Sequence, residues 1–420
     1  MLKFSIQSQL PTNLARTGLL RTPHGVIETP AFVPVGTQAT VKGVSGDELN
    51  AVHTQVLFAN TYHLHLRPGE QVIKKSGGLH HFMNWFKPIM TDSGGFQAFS
   101  LGFGIEHGVG KIANIFPDES SSKTSRLTAS QSSASSQDAS APRKKLTTIT
   151  EDGVTFQSHL DGARLMLTPE LSMKIQNDLG ADLIMAFDEC TSPLSDKAYT
   201  AEAMERTHRW AVRSLKAHHN SKQALYGIIQ GGAYQDLRMQ SVRYLSKLEF
   251  PGFAVGGSLG NTKKDMYTIL DWVVPHLPLK KPRHLLGIGT LEDIIEGVKR
   301  GIDTFDCVSP TREARNGTLY ILKKANLSHM LATTRAARAQ TLYSRISITN
   351  APYRADTKPL DLHCPCYTCT HVSRSYMHHL YRAKEMLGLR LGTIHNLYVM
   401  NEFMRRIRTA IAQSGQRRVQ

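Results

Sequence analysis

The sequence predicts an α/β protein built around a (β/α)₈ barrel of the TIM type. Eight short apolar runs, each ending in a glycine or a polar residue, alternate with amphipathic stretches of helical period. Strands that alternate with helices pair in parallel, and eight such units over about 250 residues or more close into a barrel. The runs are 31–36, 55–60, 88–92, 182–189, 224–230, 253–257, 284–289 and 304–308. A doubly wound open sheet is the alternative, but no Gly-rich phosphate loop follows the first strand.

The helices between these runs are predicted from periodicity and from their end signals. One begins after Thr168 as N-cap, with Pro169 at its first position, and ends at Gly180. Before the barrel, an antiparallel hairpin is predicted around Pro23–Gly25. The predicted helices are 170–179, 200–217, 234–247, 264–274 and 291–299.

One segment interrupts the barrel pattern. Between Pro117 and Lys145 the chain has ten serines and few large apolar residues, so it cannot bury enough surface to offset the entropy of ordering. It is predicted to be a disordered insertion at about 117–145. The barrel domain is expected to span 1–360, and a zinc-binding helical subdomain packed on it is expected to span 361–420.

Composition favours an acidic partner and disfavours a membrane. The formal net charge is +16 and the pI is about 9.6, which is typical of proteins that bind nucleic acid. No apolar run approaches the ~18 residues that a membrane span needs. The N-terminus lacks the apolar core of a signal peptide, so a cytoplasmic location is expected.

The ends of the predicted strands carry polar side chains that share one mouth of the barrel, where the active sites of such barrels lie. They are Asp92, Asp188, Gln230, Gly257 and Asp306. Two facing carboxylates can divide the roles of nucleophile and acid/base, as in retaining glycosyl transfer. Asp188 and Gln230 suit the hydrogen-bonding edge of a purine, and Phe96 could stack on a flat base.

A cysteine cluster near the C-terminus predicts a metal site. Cys364, Cys366 and Cys369 form C-x-C-x₂-C, and His395 follows 26 residues after the last cysteine. Three thiolates and one imidazole saturate a tetrahedral zinc ion, which indicates a structural site. His371 and the pair His378–His379 compete with His395 as the fourth ligand.

Two basic stretches are candidates for contact with phosphates. Arg312 and Arg315 follow the last strand, with Lys323 and Lys324 behind them, and a second arginine-rich stretch runs from Arg374 to Arg408.

Long motifs in the same order resemble the bacterial tRNA-guanine transglycosylases. They are "DSGGFQ", "FDEC", "IIQGG", "AVGGSLG", "GIGTLEDIIEGVKRGIDTFDCVSPTREARNG" and "CPCYTC" with "HNL". The resemblance implies a homodimeric, zinc-bearing barrel enzyme. It further implies exchange of guanine at the wobble position of tRNAs with a GUN anticodon (those for Asp, Asn, His and Tyr). The incoming base would be a free 7-deazaguanine, in queuosine modification.

Residue roles also follow from the resemblance. Asp306 is expected to be the nucleophile at the ribose C1′, and Asp92 the general acid/base. The base-binding residues implied are Asp92, Ser93, Gly94, Gly95, Phe96, Asp188, Gln230, Gly257 and Ser258. The RNA-binding residues implied are Gly287, Ile288, Gly289, Thr290, Leu291, Glu292, Asp293, Thr311, Arg312, Glu313, Ala314 and Arg315.

The sequence departs from the bacterial pattern at the base pocket. Phe96 stands where bacterial members usually carry tyrosine, and Ser258 and Gly260 replace bulkier residues. A roomier pocket that prefers, or at least tolerates, queuine over 7-aminomethyl-7-deazaguanine is therefore a hypothesis. Three alternatives remain: a non-catalytic tRNA-binding paralogue, an archaeal-type transglycosylase and a glycoside hydrolase. The last does not account for the basic charge or the cysteine cluster.

Overall fold

The computed structural model describes residues 2–97 and 147–417, and its strands form a barrel and three smaller sheets. In chain order the strands are β1 (Lys3–Gln9), β2 (Arg16–Thr22), β3 (Gly25–Thr29), β4 (Ala31–Gly36), β5 (Leu57–Ala59), β6 (Ile89–Thr91), β7 (Thr147–Ile149), β8 (Val154–Gln157), β9 (Arg164–Leu167), β10 (Leu183–Met185), β11 (Ala224–Ile229), β12 (Gly252–Val255), β13 (Arg283–Leu285), β14 (Thr304–Cys307), β15 (Thr318–Leu322), β16 (Tyr343–Ser347) and β17 (Gln416–Arg417). The predicted insertion at 117–145 lies outside the described residues.

Eight parallel strands close into the barrel, and each overlaps one of the eight predicted runs. Going round the barrel, β4, β5, β6 and then β10 to β14 neighbour one another in chain order, and β14 pairs with β4. The TIM-type barrel is confirmed. All of its strands are short because only the part that faces both the interior and the helix layer needs to be extended and apolar.

Helices cover the outside of the barrel. Five helices correspond to the five predicted ones: α5 (Pro169–Leu179), α6 (Lys197–Ala217), α7 (Gln235–Leu245), α8 (Lys263–Val273) and α9 (Leu291–Lys299). Of these, α6 begins three residues earlier and α7 ends two residues earlier than predicted. Thr168 caps α5 by accepting a hydrogen bond from the Leu171 N–H, and Gly180 ends it in the left-handed region at φ +74°. The helices are α1 (Gly46–Ala51), α2 (Thr61–Leu66), α3 (Glu70–Lys75), α4 (Leu79–Met83), α5 (Pro169–Leu179), α6 (Lys197–Ala217), α7 (Gln235–Leu245), α8 (Lys263–Val273), α9 (Leu291–Lys299), α10 (Ser309–Arg315), α11 (Leu327–Ala332), α12 (Ala339–Leu342), α13 (Tyr367–His371), α14 (Arg374–Arg382) and α15 (Met386–Ser414). None of the described helices is long and apolar enough to cross a membrane.

The predicted N-terminal hairpin closes one end of the barrel. β2 and β3 pair antiparallel, and their residues Leu20 and Ile27 belong to the same apolar cluster as the side chains that fill the barrel interior. Arg16 makes a buried ion pair with Asp303, which precedes β14. Because this hairpin covers the ends where the strands begin, the opposite mouth is left for a site.

The long helix α15 packs on the barrel and on the C-terminal segment that precedes it. Asn401 donates to the Val52 carbonyl after α1, and Arg408 donates to the Pro30 carbonyl before β4. Nearer the start of the helix, Asn396 bonds to the backbone of Pro310 and of Tyr320 in β15. The long helix α15 thus lies against β4, the first strand of the barrel.

Candidate active site

Two carboxylates lie at the mouth where the barrel strands end. Asp92 directly follows β6, and Asp306 is the third residue of β14. The Asp306 side chain is largely buried, and its Oδ1 accepts hydrogen bonds from the Gly287 N–H at 2.7 Å and from His284 Nε2 at 3.1 Å. The strand order of the barrel thus brings the predicted pair, Asp92 and Asp306, to one mouth.

The Asp92 carboxylate is held by the start of α2. Its Oδ1 accepts from the Thr61 N–H at 2.8 Å, and its Oδ2 accepts from Asn60 Nδ2 at 2.5 Å. Burial, together with the nearby charge of Asp306, nevertheless raises the pKa of Asp92 to about 7. Asp92 can therefore both give and take a proton near neutral pH.

Asp188 and Gln230 meet beside these carboxylates. Ser93 Oγ donates to Asp188 Oδ1 at 3.1 Å, and Gln230 Nε2 donates to Asp188 Oδ2 at 2.6 Å. The Gln230 Oε1 atom is buried and has no hydrogen-bond partner among the described residues. A buried acceptor of this kind is costly unless a ligand supplies a donor, so the pair suits a base with N–H groups on its edge.

Glycines are required around this pair because side chains would collide with it. A Cβ on Gly257, which has φ +74°, would clash with Gln230 Oε1, and a Cβ on Gly95 would lie 2.9 Å from the Asp188 carbonyl oxygen. Gly94 also has a positive φ, and Phe96, two residues later, is partly exposed.

Ser258 is buried, and its Oγ accepts a hydrogen bond from the Gly260 N–H at 3.4 Å. Gly260 has φ +87°, and a Cβ there would clash with Asp265, which caps α8. The turn into α8 therefore gives glycine a local reason at this position, independent of the size of the base pocket.

Sequence reasoning missed Arg238, which joins the loops that follow β11 and β12. Its buried guanidinium donates to the carbonyls of Ile229, Gly232, Gly256 and Ser258 at 2.7–3.0 Å. These loops carry Gln230 and Gly257. The available signal was an arginine on the apolar face of α7, beside Leu237, Ser241 and Val242.

Comparison with known proteins gives the family. The family model described as queuine tRNA-ribosyltransferase matches residues 11–115 and 120–418. This chain belongs to that family. It is 48% identical to the putative queuine tRNA-ribosyltransferase of Archaeoglobus fulgidus over 415 residues, covering 99% of this chain and 97% of the relative. It is 46% identical to the queuine tRNA-ribosyltransferase of Caldanaerobacter subterraneus subsp. tengcongensis, covering 98% and 94%.

Membership of the queuine tRNA-ribosyltransferase family makes the protein a pentosyltransferase, as the sequence analysis predicted. A third relative, the queuine tRNA-ribosyltransferase of Halothermothrix orenii, is 46% identical over 402 residues, covering 96% of this chain and 91% of the relative. The family match breaks only between 115 and 120, at the beginning of the serine-rich segment.

The predicted metal ligands come together in this queuine tRNA-ribosyltransferase family member. His395 Nδ1 lies 3.8 Å from Cys364 Sγ, 3.5 Å from Cys366 Sγ and 3.3 Å from Cys369 Sγ, and all four residues are buried. Sulfur and nitrogen ligands of one tetrahedral zinc ion are about 3.6 Å apart, given bond lengths of about 2.3 and 2.05 Å. The donor set therefore fits zinc.

Two of the other candidate ligands hydrogen-bond elsewhere, and the third, His379, is exposed. His371 Nδ1 bonds to the Tyr367 carbonyl, and His378 Nδ1 bonds to the Ile348 carbonyl. His395 Nε2 donates to the Tyr320 carbonyl at 2.6 Å, which leaves Nδ1 as the acceptor nitrogen facing the sulfurs. His395 is thus the histidine that joins the three cysteines.

The predicted RNA-binding loop 287–293 is mostly structural in its side chains. Thr290 caps α9, and Lys263 Nζ bonds both Glu292 and Asp293 at 2.9 Å. Burial removes the side chains of Ile288, Leu291 and Asp293 from solvent, and the RNA-binding role of this loop stays a prediction. Gly289 packs against Cys307, which accounts for a small residue beside Asp306.

The second predicted RNA-binding stretch forms α10. Thr311 and Ala314 are buried, and Glu313 forms an ion pair with Arg345 at 3.2 Å. The RNA-binding role of this stretch stays a prediction. Arg312 and Arg315 are only partly buried and lie close enough for burial and the charge of Arg312 to lower the pKa of Arg315. Two like charges in proximity are a feature of phosphate-binding sites.

The arginines near the C-terminus are largely paired within the chain. Arg405 and Arg406 both bond to Glu402, and Arg408 bonds to Glu28 and to the Pro30 carbonyl. These three arginines thus share two acidic partners, and contact of this stretch with RNA stays a prediction.

Proposed function

We propose that this protein replaces guanine with a 7-deazaguanine base at the wobble position of tRNAs with a GUN anticodon, through a covalent bond between Asp306 and the ribose. The observation that carries the proposal is the pair of carboxylates at one mouth. Asp92 has a pKa of about 7, and Asp306 is held by two hydrogen-bond donors. That difference suits one acid/base and one nucleophile.

The proposed reaction consists of two displacements at C1′. In the first, an Asp306 oxygen bonds to C1′, the electron pair of the C1′–N9 bond goes to guanine, and protonated Asp92 supplies the proton that the leaving base takes up. In the second, Asp92 takes a proton from the incoming base, that base bonds to C1′, and the Asp306 carboxylate leaves. Two inversions retain the configuration at C1′.

The base would be held by Asp188, Gln230 and the backbone near Gly257. Asp188 accepts N–H groups, and the amide of Gln230 both donates and accepts. The partnerless Gln230 Oε1 supports this assignment, since a base N–H would satisfy it. Ser93, Gly94, Gly95, Phe96 and Ser258 would shape the pocket around the ring.

The roomier pocket that the sequence indicated leads us to propose queuine as the favoured incoming base. The local reason for glycine at Gly260 removes one support for that preference, and Phe96 and Ser258 remain. Exchange assays measure this preference: tRNA that carries labelled guanine is incubated with either free base. Stronger insertion of 7-aminomethyl-7-deazaguanine would contradict the preference, and no exchange with any base would favour a non-catalytic tRNA-binding protein.

The nucleophile assignment has its own test. Asp306→Asn should abolish the covalent protein–RNA adduct seen on a denaturing gel and slow exchange on the order of 10³-fold or more. Asp303→Asn, at the opposite end of the same strand, is the matched control: it should weaken folding but still form the adduct. An adduct that persists in Asp306→Asn would refute the assignment.

We propose Zn²⁺ as the resident ion of the Cys364–Cys366–Cys369–His395 site. Four protein ligands leave no open position, so the ion would hold α13 and α15 together and take no part in the chemistry. All four ligands lie on the segment that follows β16, whereas Asp92 and Asp306 lie at the ends of barrel strands.

We also propose that the protein works as a homodimer on tRNA in the cytoplasm. Several apolar side chains of the C-terminal segment are exposed, which favours burial against a second copy. They are Leu362, Tyr367, Tyr376, Met386 and Leu387. Sedimentation velocity at micromolar concentration tests this, and a monomer at all concentrations would contradict it.

A further inference from the structure

A buried hydrogen-bonded chain runs from Thr304 through His284 to Asp306. His284 Nδ1 lies 2.9 Å from Thr304 Oγ1, and its Nε2 lies 3.1 Å from Asp306 Oδ1. His284 and Thr304 are almost completely buried, and they sit opposite each other in the β13–β14 ladder. Phe58 of β5 stacks on the imidazole at 6.0 Å, so the ring is fixed on its face as well as at its edges.

These contacts decide where the imidazole carries its proton. A carboxylate only accepts, so Nε2 must donate to Asp306, and Nδ1 of the neutral ring is then an acceptor. The Thr304 hydroxyl supplies the donor that Nδ1 needs. Both donors to Asp306, His284 Nε2 and the Gly287 N–H, fall on the same oxygen, and together they fix the rotation of the carboxylate.

We propose that His284 is a positioning residue for Asp306 in the transfer reaction, with Thr304 setting the tautomer of its ring. This rests on the proposed role of Asp306 as nucleophile. Phe58, which stacks on His284, belongs with Val33 and Met90 to the apolar cluster of the barrel interior. The imidazole thus places an N–H donor beside the Asp306 carboxylate within a largely apolar interior.

The arrangement acts in both displacements. When Asp306 bonds to C1′, Oδ1 becomes the carbonyl oxygen of the ester and keeps both donors. When the incoming base bonds to C1′, the C1′–O bond breaks, its electron pair returns to Asp306, and the same two donors stabilise the carboxylate that leaves. The donors are in place before the charge moves, so no reorganisation is needed.

His284→Met and His284→Gln test the proposal, because glutamine keeps an N–H at the end of the side chain and methionine does not. We expect His284→Met to form the covalent adduct about 10- to 100-fold more slowly, with the tRNA KM within about twofold. His284→Gln should recover most of the rate. Thr304→Val should slow adduct formation by a smaller factor, and Thr304→Ser should match wild type.

His80→Met is the matched control. His80 is also buried and also lies 3.1 Å from a carboxylate, that of Asp182, but at the opposite end of the barrel. The His80→Met variant should have a lower melting temperature than wild type and the same rate of adduct formation. If His284→Met does not fold, the adduct rates of Thr304→Val and Thr304→Ser test the proposal in the same way.

A wild-type adduct rate in His284→Met, equal losses in methionine and glutamine variants, or a loss confined to KM would each overturn the proposal. Wild-type protein measured in parallel separates this from the proposed function. Absence of any adduct in wild type contradicts Asp306 as nucleophile, whereas an adduct that is indifferent to His284 contradicts only the positioning role.

Discussion

Asp92 is protonated for a useful fraction of the time at neutral pH because burial and the charge of Asp306 both disfavour its carboxylate form. Hydrogen bonds from Thr61 and Gln97 to the carboxylate oppose this, and the balance leaves the pKa at about 7. A side chain with this pKa can exchange a proton with a base in either direction.

The first displacement should therefore slow as pH rises through about 7. Protonated Asp92 is the reactive form in that step and is the major form below its pKa, so the single-turnover rate of adduct formation should fall about tenfold per pH unit above it. Asp92→Asn, which does not titrate, is the control and should give a slow, flat profile. A wild-type profile that is flat between pH 6 and 9 would exclude Asp92 as the acid.

At the scale of elements, the strand-end loops are held by groups that do not touch the base. Arg238 on α7 joins the loops after β11 and β12 by donating to four carbonyls. The sequence predicted α7 and both loops, but an arginine that reaches across two loops depends on the packing of the helix against the barrel.

Arg238→Met should therefore raise the KM for the free base by at least about tenfold with a smaller change in kcat. Four buried carbonyls lose their donor, and the loops that carry Gln230 and Gly257 are no longer held in register. Arg283→Met is the control: Arg283 is also buried and donates to the Leu277 and Gly301 carbonyls before β14. It should lower stability without changing the base KM, and equal KM values in both variants would contradict the role of Arg238.

The metal site joins two elements that are distant in sequence. Cys366→Ser should release zinc, measured by atomic absorption, and lower the melting temperature, because α13 loses its attachment to α15. His371→Ala, an exposed histidine of the same segment, should retain one zinc ion per chain. A soluble, zinc-free Cys366→Ser protein with full exchange activity and unchanged melting temperature would overturn the structural role.

On the scale of the whole molecule, basic side chains gather in two places. Arg405, Arg406 and Arg408 pair with two acidic residues, Glu402 and Glu28, whereas Arg312 and Arg315 lie close together after β14. If Asp306 is the nucleophile, as proposed, the second pair follows the reacting residue along the chain and is the candidate for contact with the tRNA backbone.

Binding of tRNA should weaken steeply with salt, and the slope should depend on this pair. Arg312→Ala and Arg315→Ala should each reduce the slope of log K against log[salt] by about one, since each releases one phosphate contact. Arg405→Ala should leave the slope unchanged, because the Arg405 guanidinium is already bound to both carboxylate oxygens of Glu402. Equal slopes for all three variants would place the RNA elsewhere on the protein.

The division of the chain at residue 361 stays a prediction. The three cysteines share an apolar cluster with Leu360, Met377 and Leu391, while later residues of α15 such as Phe403 and Ile407 belong to the main barrel cluster. One helix therefore serves both parts, and a cut at 361 would separate α15 from the barrel surface that it covers.

The sequence by itself determined the features that depend on residues close together along the chain. The period of the apolar runs set eight strands and their helices, the residues at run ends set the positions of Asp92 and Asp306, and the C-x-C-x₂-C spacing set the metal site. Only the tertiary structure decided which distant groups face these residues. His284 beneath Asp306, Arg238 across two loops and the burial of Asp293 depend on how neighbouring strands and helices pack against one another, and that packing sets pKa values, orientation and exposure.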